Sequence, residues 1–228
     1  MKKIILSLVV AVVACASFAQ GGGGRQGGMM GRMGMDSPLM ILMREDLKES
    51  IYADLGLSDD QKLKLAEYFA PDAMRERFMS VMQNSGMSFE DMRSEEGRKK
   101  MQEIMGKQQE SMKKEIEGMM TPDQVKRLSQ IYLQVSGFRS VLNKDVAKAL
   151  EITSAQQEKI DGLQKASGEA MTALMQKMRD QEITREEMQE KQKKNGEIMN
   201  TELGKILTEN QKAKLSEMGG KKFVHKEG

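Results

Sequence analysis

Near the start of the chain the residues best suited to chemistry are four methionines, Met29, Met30, Met33 and Met35, in the string MMGRMGM. Thioether sulfur is a soft ligand, and close spacing on a glycine-rich segment would let several sulfurs converge on one Cu(I) ion. The competing reading is a Gly/Met-rich linker that shares the bias of a chain with 23 Met in 228 residues, since no histidine or cysteine joins the cluster. The only histidine, His225, lies near the C-terminus. Histidine acid–base chemistry and multi-histidine metal sites therefore have nothing to build on. Carboxylates are plentiful, but strings such as REDLKE and EEMQEKQKK interleave them with Lys and Arg, as solvated helix faces do. There is no Gly-rich phosphate loop and no nucleophile elbow. The sequence predicts a protein that is not an enzyme and uses no cofactor.

A second pattern is stronger. LSDDQKLKL stands at 57–65, MTPDQVKRL at 120–128, ITSAQQEKI at 152–160 and LTENQKAKL at 207–215. Serine or threonine followed three residues later by glutamine is a capping box. The hydroxyl accepts from the third helical N–H, and the glutamine reaches back to the N–H of the cap residue. Ser58/Gln61, Thr121/Gln124, Thr153/Gln156 and Thr208/Gln211 all fit this pattern, and each cap is worth about 1 kcal/mol. The apolar residue before each cap (Leu57, Met120, Ile152, Leu207) can pack on the new helix. The Leu or Ile seven positions after it (Leu65, Leu128, Ile160, Leu215) falls on the buried face, while Lys64, Arg127, Lys159 and Lys214 point elsewhere. These serines, threonines and glutamines are structural helix caps in this reading.

The elements around the boxes are helices. Good helix formers dominate, Trp is absent, and no stretch alternates as a strand would. The fold class is all-α, an elongated set of helical hairpins with a thin core. Residues 1–19, with Lys2 and Lys3 before an apolar run and Ser17 and Ala19 before Gln20, read as a secretory signal peptide. VVAC, ending at Cys15, alternatively reads as a lipobox that would anchor the chain by a lipid. The expected location is periplasmic or secreted. Cleavage before Gln20 removes the single cysteine, and with it disulfides, zinc–thiolate sites and thiol catalysis. Losing Lys2 and Lys3 takes the 36 Lys+Arg to 34, equal to the 34 Asp+Glu. Such a neutral chain has no footprint for nucleic acid, and no segment is apolar for long enough to span a membrane.

Residues 20–37 are expected to be a disordered Gly/Met-rich linker. Helices are expected near 38–55, 59–69, 71–84, 89–119 and 122–136, then 143–150, 154–181, 185–206 and 209–218. The first and third boxes follow short amphipathic helices, and the second and fourth end longer charged ones. That order predicts an internal duplication, with one half at 38–138 and the other at 139–218, followed by a flexible basic tail at 219–228. Seams such as Met101, Met105, Met112, Ile116 and Met119 are weak, and Gln192 and Asn195 interrupt another. Glycines inside the long helices, including Gly106, Gly162, Gly168 and Gly204, predict loose packing.

The repeated string, set among long charged helices behind a signal peptide, resembles the LTxxQ motif of the periplasmic Spy/CpxP-like family. LTENQ at 207–211 carries all three fixed letters, and the other copies depart at one of them. The resemblance implies an ATP-independent chaperone that holds unfolding envelope proteins on a concave, all-helical cradle. Relatives usually carry two motifs per chain and dimerise. Four motifs here imply either a homodimer or two tandem halves that form a pseudo-dimer within one chain. Methionine is flexible and polarizable, so a Met-lined surface can re-pack against many partners. The candidates for client contact are Met74, Phe78, Met79, Met82, Met101, Met105, Met171 and Met175, with core filling as the competing role. The alternative functions are Cu(I) handling in the envelope, or a scaffold for one specific partner in a stress response.

Overall fold

A computed structural model describes residues 37–87, 91 and 94–225. The described residues are helical, with no strand among them. The helices are α1 (Lys48–Leu55), α2 (Asp59–Tyr68), α3 (Pro71–Ser85), α4 (Glu95–Glu117), α5 (Pro122–Ser136), α6 (Lys144–Ala149), α7 (Ser154–Arg179), α8 (Arg185–Ile206) and α9 (Glu209–Met218). Pro38–Met43 and Gly137–Leu142 are 3-10 helices. No helix among the described residues is long and apolar enough to cross a membrane. The chain divides into two compact units. Among the described residues, one is Ser154–Glu202; the other runs up to Thr153 and resumes at Leu203. These units are drawn differently from the repeat halves at 38–138 and 139–218.

In the larger unit α5 is the hub. It packs against Pro38–Met43, Gly137–Leu142, α1 and α9. Leu128, Ile131, Tyr132 and Leu133 are buried along it. The apolar spacing of three and four residues makes that broad stripe possible. Thr121 caps the helix and Pro122 occupies its first turn, where the missing N–H costs nothing.

Two elements depart from the sequence expectation. The single helix expected over 38–55 is a 3-10 helix, a break at Arg44, and then α1. Arg44 is extended, at φ −80° and ψ 99°. Ser37 and Pro38 start this segment as expected, but Leu39, Ile41 and Leu42 are all buried. The tighter three-residue turn turns these closely spaced residues inward together. The long helix expected from 89 begins at Glu95, because the Ser94 side chain accepts from Gly97 N–H at 2.9 Å and fixes the start there.

The smaller unit is the hairpin of α7 and α8. Ile160 and Met199 are the only buried side chains among its described residues. The polar gap expected at Gln192 and Asn195 is bridged across the hairpin. Asn195 Nδ2 donates to Ser167 Oγ at 2.9 Å, and Gln192 Nε2 lies 3.2 Å from Met171 Sδ. Gln181, at φ 57°, closes α7 in the left-handed region, with Glu182 N–H bonded to Lys177 O at 2.9 Å.

The interior glycines differ in what surrounds them. An added Cβ at Gly106, Gly162 or Gly168 meets nothing within 4 Å, whereas at Gly204 it would lie 2.7 Å from two ring carbons of Phe138. Gly204 therefore lets α8 approach the Phe138 ring. We expect Gly162→Ala to raise stability by up to about 1 kcal/mol. Gly204→Ala should lower it by about 1–2 kcal/mol. Urea unfolding of the two variants checks this, and a Gly204→Ala chain as stable as the parent would contradict the packing role.

Candidate functional site

Three capping boxes form in full, at Ser58/Gln61, Thr121/Gln124 and Thr208/Gln211. The fourth expected pair is Thr153/Gln156. Thr153 stands directly before α7, in the cap position, and Gln156 is the third residue of that helix, half-buried. Neither is without a partner, and Gln156 matches the other three glutamines in register. A further box, invisible to a search for glutamine, caps α8. Thr184 N–H donates to Glu187 Oε2 at 2.9 Å, and Glu187 N–H donates to Thr184 Oγ1 at 3.1 Å. The signal was present as Thr-Arg-Glu-Glu, since glutamate fills this position as well as glutamine does.

Glutamine is needed at the full boxes for a second task. Gln61 Oε1 accepts from its own cap N–H, Ser58, at 3.0 Å, and Gln124 Oε1 does so from Thr121 at 2.8 Å. The two amides then pair with each other. Gln61 Nε2 donates to Gln124 Oε1 at 2.8 Å, and Gln124 Nε2 donates to Gln61 Oε1 at 3.2 Å. The remaining amide hydrogens reach the end of the preceding helix of the other box. Gln61 Nε2 bonds Met119 O at 2.9 Å, and Gln124 Nε2 bonds Gly56 O at 3.4 Å. Both acceptor pairs and both donors of each amide are thus used. Gln211 likewise bonds its cap N–H and reaches across to Leu150 O at 3.1 Å.

The basic residue of the motif adds to this contact. Arg127 was expected to point away from the body. Instead it makes a two-pronged ion pair with Asp54, at 2.5 Å from Nε and 3.0 Å from Nη2. Both side chains are mostly buried. The box at Thr208 has a more exposed counterpart, Lys214 with Glu151, at 3.1 Å. The guanidinium bond to Asp54 holds that carboxyl below its usual pKa, against the opposing effect of burial.

Most positions matched by the repeat behave alike, Leu57 (buried) and Ile152 (half-buried) being an exception. Ile51 and Val146, Leu55 and Leu150, and Leu65 and Ile160 are buried in the copies that follow short helices. Ile116 and Leu203, Met120 and Leu207, and Leu128 and Leu215 are buried in the copies that end long ones. Gly56 (φ 60°) and Glu151 (φ 54°) both end their helices in the left-handed region. The next N–H in each copy bonds back five residues, Leu57 to Tyr52 O at 3.1 Å and Ile152 to Ala147 O at 3.0 Å.

The candidate client residues divide. Phe78 and Met79 are exposed, at 43% and 51%. Met74, Met82, Met105, Met171 and Met175 are half-buried. Met101, at 4% exposure, belongs to the core, so its thioether is not offered to a partner. Leu63 and Ile198 are also exposed, though sequence reasoning did not single them out. Each is out of helical phase with a buried neighbour, Leu65 or Met199, and that phase difference was the available signal. Among the described residues no group of three or more His, Cys, Asp or Glu could hold a metal. Met29, Met30, Met33 and Met35 lie outside the described residues.

Helix α3 has no buried residue. Arg77 holds it in place. Its guanidinium lies 3.9 Å over the Tyr68 ring centroid and donates to Tyr68 O. Phe69 packs edge-on to the same ring at 5.5 Å. The buried phenol of Tyr68 is pushed up in pKa by desolvation and by the Glu115 carboxylate. Because Arg77 faces inward, the next two residues, Phe78 and Met79, turn outward.

No family model matches the chain, and no curated protein or solved structure matches it either.

Two outcomes are expected. Gln124→Glu should lower stability by about 1–3 kcal/mol, because a carboxylate cannot donate to Gln61 Oε1 or Gly56 O. Glu187→Gln, at a box with no such partner among the contacts above, should change it by less than about 0.5 kcal/mol. Denaturant titration separates the two. Asp54→Asn should cost about 1–3 kcal/mol at neutral pH. Since the folded Asp54 has a depressed pKa, its contribution is complete at neutral pH and is lost as pH falls through that depressed value. Stability curves of parent and variant should therefore converge in strongly acidic solution and stay parallel above the ordinary carboxylate range.

Proposed function

We propose that this protein is a periplasmic, ATP-independent holder of unfolding envelope proteins, built from two tandem copies of one helical unit. Helix α3 carries this reading: fifteen residues without one buried side chain, presenting Phe78 and Met79 to solvent from a clamped base. Apolar side chains kept outward on a charged helix offer adaptable contact to exposed apolar segments of another chain. Lys and Arg nearby, such as Arg75, can steer acidic clients. The tandem arrangement is supported by the matched buried positions and the matched left-handed helix ends of the two copies. It supplies four copies of the string in one chain, which makes an intrachain pseudo-dimer the proposed counterpart of the two-chain assembly.

The test is suppression of aggregation by residues 20–228 without ATP, on several unrelated unfolding substrates. Near-stoichiometric protection of all of them is expected. Phe78→Ser combined with Met79→Ser should raise the concentration needed for half-protection about threefold or more, with an unchanged circular dichroism spectrum. A folded parent that protects none of the unrelated substrates would sink the holder reading in favour of a scaffold for one partner.

A further inference from the structure

The last described residues do not behave as the loose tail expected from their composition. Residues 219–225 are fastened to one face of α5 by Arg127, Gln130 and Gln134, which stand three and four residues apart. Gln134 reads the main chain in both senses. Its Nε2 donates to Gly219 O at 2.6 Å and to Lys221 O at 2.8 Å, and its Oε1 accepts from Phe223 N–H at 2.8 Å. Arg127 Nη1 donates to Lys221 O at 2.7 Å. These four bonds all go to backbone atoms of the tail. Lys221, Lys222 and Val224 turn their side chains to solvent. Identity matters at four tail positions, one of them His225, whose Nδ1 lies 3.4 Å from Ser50 Oγ. Gly219 is buried, with the site of a Cβ 3.3 Å from Gln134 Cγ. Gly220 is left-handed, at φ 62°, and a Cβ there would meet the Gln130 amide at 2.4 Å. Phe223 is half-buried.

A surface that holds main chain through a bidirectional amide and a guanidinium, leaving most side chains free, is a reader of polypeptide backbone, here a segment that turns through Gly219 and Gly220 before running on to Phe223. We infer that this face of α5 is a peptide-binding site whose resident occupant is the chain's own tail. The external ligand it fits is a segment of another polypeptide that turns through two small residues, the second left-handed, continues through two residues of any type, and then presents an aromatic. The tail would then act as a built-in competitor, at an effective concentration on the order of mM for so short a connection. The site stands apart from the outward face of α3, and it does not rest on the client-holding proposal. A failed aggregation assay leaves it untouched.

The test frees the tail without altering the α5 face. Gly220→Val forces a β-branched residue into a left-handed backbone. Phe223→Pro removes the N–H that Gln134 accepts and serves as a second release variant should the first fold poorly. The probe is a fluorescent peptide of residues 217–225, EMGGKKFVH, added to the full chain. Saturable binding is expected for the release variants, at least about tenfold tighter than for the parent. Adding Gln134→Ala to either release variant should abolish it. Folded release variants that bind no peptide would overturn the inference, as would a parent that binds as tightly as they do.

Discussion

The reciprocal pair of Gln61 and Gln124 is the constraint on which the corners of this fold depend. In an ordinary capping box the glutamine amide closes one helix start, and its donors face water. Here the same amide also takes up a carbonyl at the end of another helix, and the two glutamines satisfy each other. Each half-buried amide would cost about 1–3 kcal/mol if left without partners. Corners that slipped apart would leave several donors and acceptors unpaired at once. A chain with weak apolar seams gains from this arrangement a geometric precision that its thin core does not supply.

The ion pair of Arg127 and Asp54 extends that constraint in two directions. Towards α1 it fixes the helix that ends at Gly56, whose carbonyl Gln124 also holds. Towards the C-terminus the same guanidinium bonds Lys221 O and Gln130 Oε1. Helix α5 thus joins corner and tail through residues belonging to a single copy of the repeated string. This explains why a position that looks like a solvated basic residue is mostly buried. The planar fork of arginine can serve a carboxylate, an amide and a carbonyl at once, which an ammonium at the end of a lysine stem does with less geometric control.

What could be read in the sequence followed the range of the interactions. Caps and helix limits are set within a few residues, so α8 at 185–206 and α9 at 209–218 match the expected bounds. The all-α class follows from composition for the same reason. The tertiary use of the glutamines joins residues 63 positions apart, and nothing in LTxxQ itself distinguishes a lone cap from a paired one. The contrast with Thr184 and Glu187 carries that information, and only after the structure shows that a carboxylate suffices there. The tail illustrates a different limit. GGKKFVH has the composition of a solvated end, yet its main chain is held by Gln134, a residue 85 positions from Gly219. Met101 looked like any other methionine of a weak seam. Its burial depends on what lies over it, which periodicity does not encode.

The exposed face of α3 follows from the same economy. A fifteen-residue helix is marginal on its own in water, and α3 buries none of its side chains. Its stability is assembled from its ends, from Arg77 and from the partial burial of Met74 and Met82. Pro71 and Asp72 favour the start, and left-handed Gly86 closes the finish, its N–H bonded to Gln83 O at 3.3 Å. Arg77 adds the stacking on Tyr68, which contributes about 0.5–2 kcal/mol according to how far it is desolvated. Stabilisation of this kind requires nothing of Phe78 and Met79, so their apolar surface stays outward. Met74 and Met82 are only half-buried, and Phe78 and Met79 stay exposed beside them. The clamp at Tyr68 is therefore what reconciles an ordered helix with an uncommitted apolar surface, and contact with another chain would draw on that surface without dismantling the helix that carries it.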